Sequence, residues 1–197
     1  MRTSLATSLH MQDTGSFRET LVGKGAMIAA ATGFVAICAH ISVPLPFTLV
    51  PLTLQTFAVI LVGMMLGPIA GFSAMALYLV EGAMELPVFS PYGLGGLLQL
   101  HGPVGGYLIS YPFAAALAGW VVRMLRDRSS QITAGMIAGL VASLLVYAIG
   151  ASWMASQLHL STASAWHMGI APFLPGDAVK ITAAAGMFKT LSRWQLS

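Results

Sequence analysis

Apolar residues run through this chain in six blocks, broken by proline, glycine and short polar turns, at about 23–41, 53–67, 70–86, 104–122, 133–154 and 174–191. None of them alternates polar and apolar residues with period two. That pattern is what a membrane barrel strand requires, so each block is predicted as a helix of a bundle. The second and third blocks are short and meet at Gly67-Pro68, a tight turn, and one reading fuses or tilts them. Ahead of the blocks, residues 1–22 are mixed polar, with Arg2, Asp13, Arg18 and Glu19, and lack an apolar core of signal-peptide type. The expected organisation is a cytoplasmic tail (1–22), a six-helix membrane domain (23–191) and a short cytoplasmic C-terminal tail (192–197).

Composition turns a helical reading into a membrane one. Of the 197 residues, 57% are hydrophobic and only 8% are charged, against about a quarter charged in a soluble domain. Nine Lys and Arg with six Asp and Glu cannot coat a water-exposed globule of this length. The solvent around most of the protein is therefore expected to be lipid, and helices of about 20 residues consume nearly the whole chain. A net charge of +3, and a localised one, gives no support for nucleic-acid binding. The single cysteine, Cys38, lies in an apolar run and is expected to be a buried structural thiol.

The position of each cation sets an orientation. Arg18 and Lys24 precede the first block or open it, Arg123, Arg126 and Arg128 follow the fourth, and Lys189 and Arg193 end the sixth. The loops on the opposite side, about 42–52, 87–103 and 155–173, contain neither Lys nor Arg. Six spans with both termini cytoplasmic satisfy the positive-inside rule, whereas an odd number would put one basic cluster outside. Lys180 is the exception: it lies one turn into the sixth block, near the outer face.

The outer loops are apolar rather than solvated. Pro44, Pro46 and Pro51 hold the first one extended and forbid helix. The second contains Ser90-Pro91-Tyr92-Gly93-Leu94-Gly95-Gly96, whose glycines permit close backbone approach and leave amides free. Plain turns explain the prolines and glycines but not Phe47, Leu49, Val50 and Leu94, so these loops are expected to form a lid or pocket wall.

Polar groups inside apolar blocks are the candidates for chemistry. Pro175 suits the first turn of a helix, where a missing N–H is harmless, and Asp177 then meets the helix dipole and free amides. Lys180, three residues on, shares its face. A lysine in lipid costs roughly 2.5–3.5 kcal/mol, so the pair is expected to face the bundle interior or a wet cavity. The alternative is a cap with a self-paired lysine and nothing bound. Glu81 and Glu85 are spaced i,i+4; Glu85 is expected at the interface, and Glu81 to be protonated, paired with Lys180 or turned to a cavity. The amide of Gln55 requires partners, either another helix or a ligand. The histidines lack metal-ligand spacing, and neither a nucleophile elbow nor a phosphate loop is present, so no metal, cofactor or nucleotide hydrolysis is expected of this chain. In the first block, Gly25, Ala29 and Gly33, and beside them Ala26 and Ala30, form rows of small residues suited to close helix packing. Those rows serve either packing within the chain or docking of a partner.

Taken together, the motifs resemble the biotin-specific S component (BioY) family of energy-coupling factor (ECF) transporters. The resemblance spans about residues 23–190 and rests on Val43-Pro44-Leu45-Pro46-Phe47-Thr48-Leu49-Val50-Pro51-Leu52-Thr53-Leu54-Gln55, Leu66-Gly67-Pro68, Leu86-Pro87-Val88-Phe89 and Gly102-Pro103-Val104-Gly105-Gly106-Tyr107. Phe173-Leu174-Pro175-Gly176-Asp177 with Lys180 completes the set. It implies an all-α integral membrane protein of six transmembrane helices in the plasma membrane of a prokaryote, with its ligand site near the outer face, capturing biotin from outside. It further implies a membrane coupling protein and a pair of ATPases as partners, docked on the small-residue face of the first helix (Gly25, Ala26, Ala29, Ala30). Some family members work alone, which leaves solitary action or self-association open. Asp177 and Lys180 match the ligand-binding pair of the family, and the chemistry agrees: the carboxylate accepts from ureido N–H groups and the ammonium donates to the ureido carbonyl. Phe47, Gly95, Gly96 and Glu81 are expected on the same site. The loop departs from the family at Ser90-Pro91-Tyr92-Gly93-Leu94, and Leu108 stands where some members carry an Arg. Tyr92, Tyr107, Gln55 or backbone amides are then the candidates to meet biotin's carboxylate. Two other readings remain: capture of another vitamin or a biotin precursor, and an intramembrane enzyme with Glu81 and Glu85 as a carboxylate pair.

Overall fold

The computed structural model describes residues 21–194. The expected tails lie outside that range, except for Leu21 and Val22, which open the first helix, and residues 192–194, which end the last. Helix α1 is Leu21–His40. A two-residue antiparallel ribbon follows, β1 (Ser42–Val43) pairing with β2 (Leu52–Thr53). Next come α2 (Gln55–Leu66), α3 (Pro68–Ala83) and the short α4 (Gly96–His101). The C-terminal half contains α5 (Gly105–Leu125), α6 (Gln131–Leu158), the short α7 (Thr162–Gly169), one 3₁₀ turn (Ala171–Phe173) and α8 (Leu174–Trp194).

The six apolar blocks thus correspond to α1, α2, α3, α5, α6 and α8. Three of these are long and apolar enough to cross a membrane: Val22–His40, Gly105–Leu125 and Gln131–Leu158. The 12-residue α2 rises only about 18 Å, and the 16-residue α3 about 24 Å. They remain separate helices because Gly67 turns the chain at a φ of 81°, open to glycine, and Pro68 then starts α3 at a position where its missing N–H costs nothing. The proline-rich segment after α1 is extended and non-helical, as its composition requires, and its ends zip into the ribbon.

Two of the loops contain helices that the sequence reading did not anticipate. In α4, Gly95 supplies the positive φ of 72° that turns the chain into the helix. In α7, the Ser161 side chain accepts from the Ser164 N–H at 3.2 Å as an N-cap. Ser130 does the same for α6 through the Thr133 N–H at 3.1 Å.

At the centre, α5 packs on α6, α3 and α2, while α8 packs on α6 and α2. The core between them is built of small and medium residues, among them Val59, Ile60, Met75, Ala114, Ala118, Ala138 and Ala184. Cys38 is buried there as well. Helix α1 sits at the edge against α3 and α2, leaving one face outward.

Candidate functional site

The first turn of α8 begins at Leu174, so Asp177 and Lys180 fall where the sequence puts them, on one face of that helix. Both are buried, at 5% and 8% exposure, and the Lys180 ammonium donates to Asp177 Oδ1 at 2.9 Å. Two other helices complete the arrangement. Tyr147 of α6 donates to Asp177 Oδ2 at 2.6 Å, and Lys180 also donates to the Thr56 hydroxyl of α2 at 3.2 Å. A carboxylate offers about four acceptor positions and an ammonium three donors. Among the described residues, two acceptor positions and one donor therefore remain free for something else.

The pair forms part of the wall of a cavity of about 60 Å³, shared with Thr53, Gln55, Gln99, Tyr107, Tyr111 and Tyr147. Apolar sides come from Val50, Pro51, Val104, Val146 and Phe173. The proline-rich loop is thus part of the cavity wall, through Val50 and Pro51. Next to it lies a second cavity of about 580 Å³, whose boundary includes His40, Glu85, Leu94, Gly95 and Gly96. Ser90 and Gln99 border both.

Of the residues singled out from sequence, Asp177, Lys180, Gln55 and Tyr107 come together on the small cavity. The head groups of two of them are already engaged. Gln55 Nε2 donates to the Tyr78 hydroxyl at 2.6 Å, which donates onward to the Val88 carbonyl at 2.7 Å, while Thr53 donates to Gln55 Oε1 at 3.3 Å. Of the two partners that its amide allowed, Gln55 has taken a neighbouring helix. The Tyr107 hydroxyl donates to the Gly169 carbonyl at 2.9 Å, so this tyrosine presents its ring rather than its hydroxyl.

The others lie elsewhere. Gly95 and Gly96 border the second cavity, and Phe47 and Tyr92 are exposed. Glu81 does not pair with Lys180: it accepts from Thr32 of α1 at 3.1 Å, while Lys180 donates to Asp177 and Thr56. Glu85 lies beyond the end of α3, at a φ of 66°, on the second cavity. The two glutamates therefore do not form a pair over the Asp177 cavity.

The sequence reading missed Tyr147, Thr56, Tyr111 and Gln99. No spacing along the chain connects positions 56, 147 and 177, since three different helices bring them together. On α1, Gly25, Ala26, Ala29, Ala30 and Gly33 are all exposed, and a methyl group added at Gly25 or Gly33 would meet nothing within 4 Å. The small-residue rows do not pack against other described residues of the chain.

Comparison with known proteins follows the same lines. The profile of the BioY family matches residues 8–196. A probable biotin transporter BioY of Pyrococcus horikoshii is 35% identical over 158 residues, covering 80% of this chain and 89% of its own. The biotin transporter BioY of Rhodobacter capsulatus is 34% identical over 186 residues, covering 90% of this chain and 94% of its own. Among solved structures, the S-component for biotin from an ECF-type ABC transporter superposes with a TM-score of 0.79 at 26% identity, covering 87% of this chain and 92% of that one. The chain belongs to the BioY family.

Proposed function

We propose that the chain is the biotin-capturing subunit of a vitamin uptake transporter, a binding and transport component rather than an enzyme. As a member of a transporter family with long apolar helices, it is a multi-pass membrane protein. In this reading α1, α2, α3, α5, α6 and α8 are six spans in the plasma membrane of a prokaryote, both termini are cytoplasmic, and the Asp177 cavity opens towards the outside. A membrane coupling protein and two ATPase subunits act as partners, with the exposed small-residue face of α1 as their docking surface.

The observation that carries the assignment is the buried Asp177–Lys180 pair with its unused valences. A buried ion pair is costly to assemble and adds little stability over an apolar substitute, so its place on a cavity wall favours a ligand role. Its net charge is zero, which suits a neutral head group, and it offers two acceptor positions and one donor. A ureido ring presents two N–H donors and one carbonyl acceptor. The apolar wall and the ring of Tyr107 suit the sulfur-containing ring fused to it.

Isothermal titration of purified protein with biotin is the direct test. Wild-type protein binds biotin, and Asp177→Ala and Lys180→Ala each weaken binding by roughly 1–3 kcal/mol, the cost of an unsatisfied buried partner. Unchanged affinity in both folded variants would remove these residues from the site, and competition by a biotin precursor at equal strength would widen the ligand assignment.

A further inference from the structure

The Asp177 cavity is too small for a whole ligand of biotin's size. Its volume of about 60 Å³ falls well short of the roughly 300 Å³ at which pockets for drug-sized molecules begin. A ligand whose ring meets Asp177 and Lys180 must therefore leave by another route, and the neighbouring 580 Å³ cavity is bordered in common by Ser90 and Gln99. Those two side chains therefore lie between the two spaces. Ser90 donates weakly to Ser42, at 3.5 Å.

Gln99 is the more informative of the two. It is only 4% exposed, and its amide is held flat against Gly93, where a methyl group would overlap it. The Gly95 N–H donates to Gln99 Oε1 at 3.1 Å, and the Gln99 N–H donates back to the Gly95 carbonyl at 3.1 Å. Because Gly95 N–H is a donor, the atom facing it must be the amide oxygen, and this fixes which way the side chain is turned. The two N–H donors of Nε2 are left with no partner among the described residues, although the residue lies on the wall of both cavities. Among the described residues the sealed, unpartnered side-chain atom is Ser143 Oγ, so Gln99 Nε2 is not shut into the core but reaches the open space of the cavities it lines.

We infer that the Gln99 side-chain amide is the donor that meets the carboxylate at the far end of the ligand, which makes Gln99 a specificity-determining residue of the binding site. The inference rests on the proposed placement of the ureido ring at Asp177 and Lys180. Glu85 is the carboxylate on the wall of the second cavity, close to Gly96. Its charge opposes a free carboxylate advancing that far, so the ligand's anionic end stops at the partition, where a neutral donor meets it. No cation is required, in keeping with the absence of Lys and Arg from residues 87–103.

The test compares two ligands, biotin and biotinamide, which differ only in the end group of the tail, an acceptor-only carboxylate against a neutral amide that both accepts and donates. Gln99→Glu retains an acceptor for the Gly95 N–H, so the start of α4 is preserved, but sets a carboxylate where the donor stood. The variant is expected to weaken biotin by about tenfold or more, while biotinamide, which can donate its own N–H to the new carboxylate, is affected far less. Gln99→Met, of similar length and uncharged, is the second variant; it should lower the ratio of biotin to biotinamide affinity in the same direction. Equal weakening of both ligands in both variants would make Gln99 a helix-start residue only and overturn the inference, as would full retention of biotin affinity. Failure of wild-type protein to bind biotin would instead defeat the functional reading itself, and the two failures are distinguishable in one set of titrations.

Discussion

At the scale of single residues, the site is a balance of charge inside an apolar bundle. Asp177 is held by Lys180 and Tyr147, and Lys180 by Asp177 and Thr56. Removing one member of a buried ion pair leaves an uncompensated charge, at a cost of about 3–5 kcal/mol, whereas replacing both by neutral groups is often close to neutral. The double variant Asp177→Asn/Lys180→Met should therefore melt at a higher temperature than Lys180→Met alone, although it has lost more polar contacts. Thermal unfolding in detergent measures this, and a double variant less stable than both singles would mean that the pair stabilises the fold outright. Half of this cluster was legible in the sequence. Asp177 and Lys180 share a helix, so an i,i+3 spacing and a break in the charge pattern were enough to find them. Tyr147 and Thr56 reach them from α6 and α2, and no periodicity within one chain segment encodes which turns of different helices meet. The amide of Gln55 was rightly seen to need partners, but that its partner is Tyr78 of α3 depends on how α2 and α3 lie side by side.

At the scale of elements, the apolar blocks predicted the long helices to within a few residues, since a lipid-facing or core-facing helix of 16 residues or more leaves a long apolar signature. Helices α4 and α7, of six and eight residues, do not. Glycines at 93, 95 and 96 made the α4 region read as loop. For α7, the spacing of Ser161 and Ser164 was the available signal, an N-cap pattern too common to decide alone. Helix α1 is the element with the clearest consequence. It packs chiefly on α3 and α2, and its row of small residues faces away from both. Because Ala26 and Ala30 are exposed, a large side chain there fits without disturbing the bundle. Ala26→Trp and Ala30→Trp should abolish biotin uptake in cells that contain a coupling module, while titration gives wild-type affinity for biotin. Uptake that persists at the wild-type rate would exclude this face as the docking surface.

At the scale of the whole molecule, the two ends differ in charge. Tyr107, on the wall of the Asp177 cavity, and Arg123, on a separate cavity with Arg126 and Asp127, lie on the same helix α5. Sixteen residues of helix place them about 24 Å apart along its axis, close to the thickness of the hydrocarbon layer. The arginine end should therefore rest at the cytoplasmic surface and the Asp177 end near the outer one, the orientation that the positive-inside rule favours. Single cysteines at the two ends test this in living cells. Leu94 is 74% exposed beside the second cavity, and Arg128 lies in the exposed turn between α5 and α6. The native Cys38 is buried and gives little background. A membrane-impermeant maleimide should label Leu94→Cys in intact cells and Arg128→Cys only after the membrane is opened. The opposite pattern would invert the protein. Labelling of both from outside would require an odd number of spans between positions 94 and 128 to be replaced by an even one, and α5 would then not cross the membrane at all.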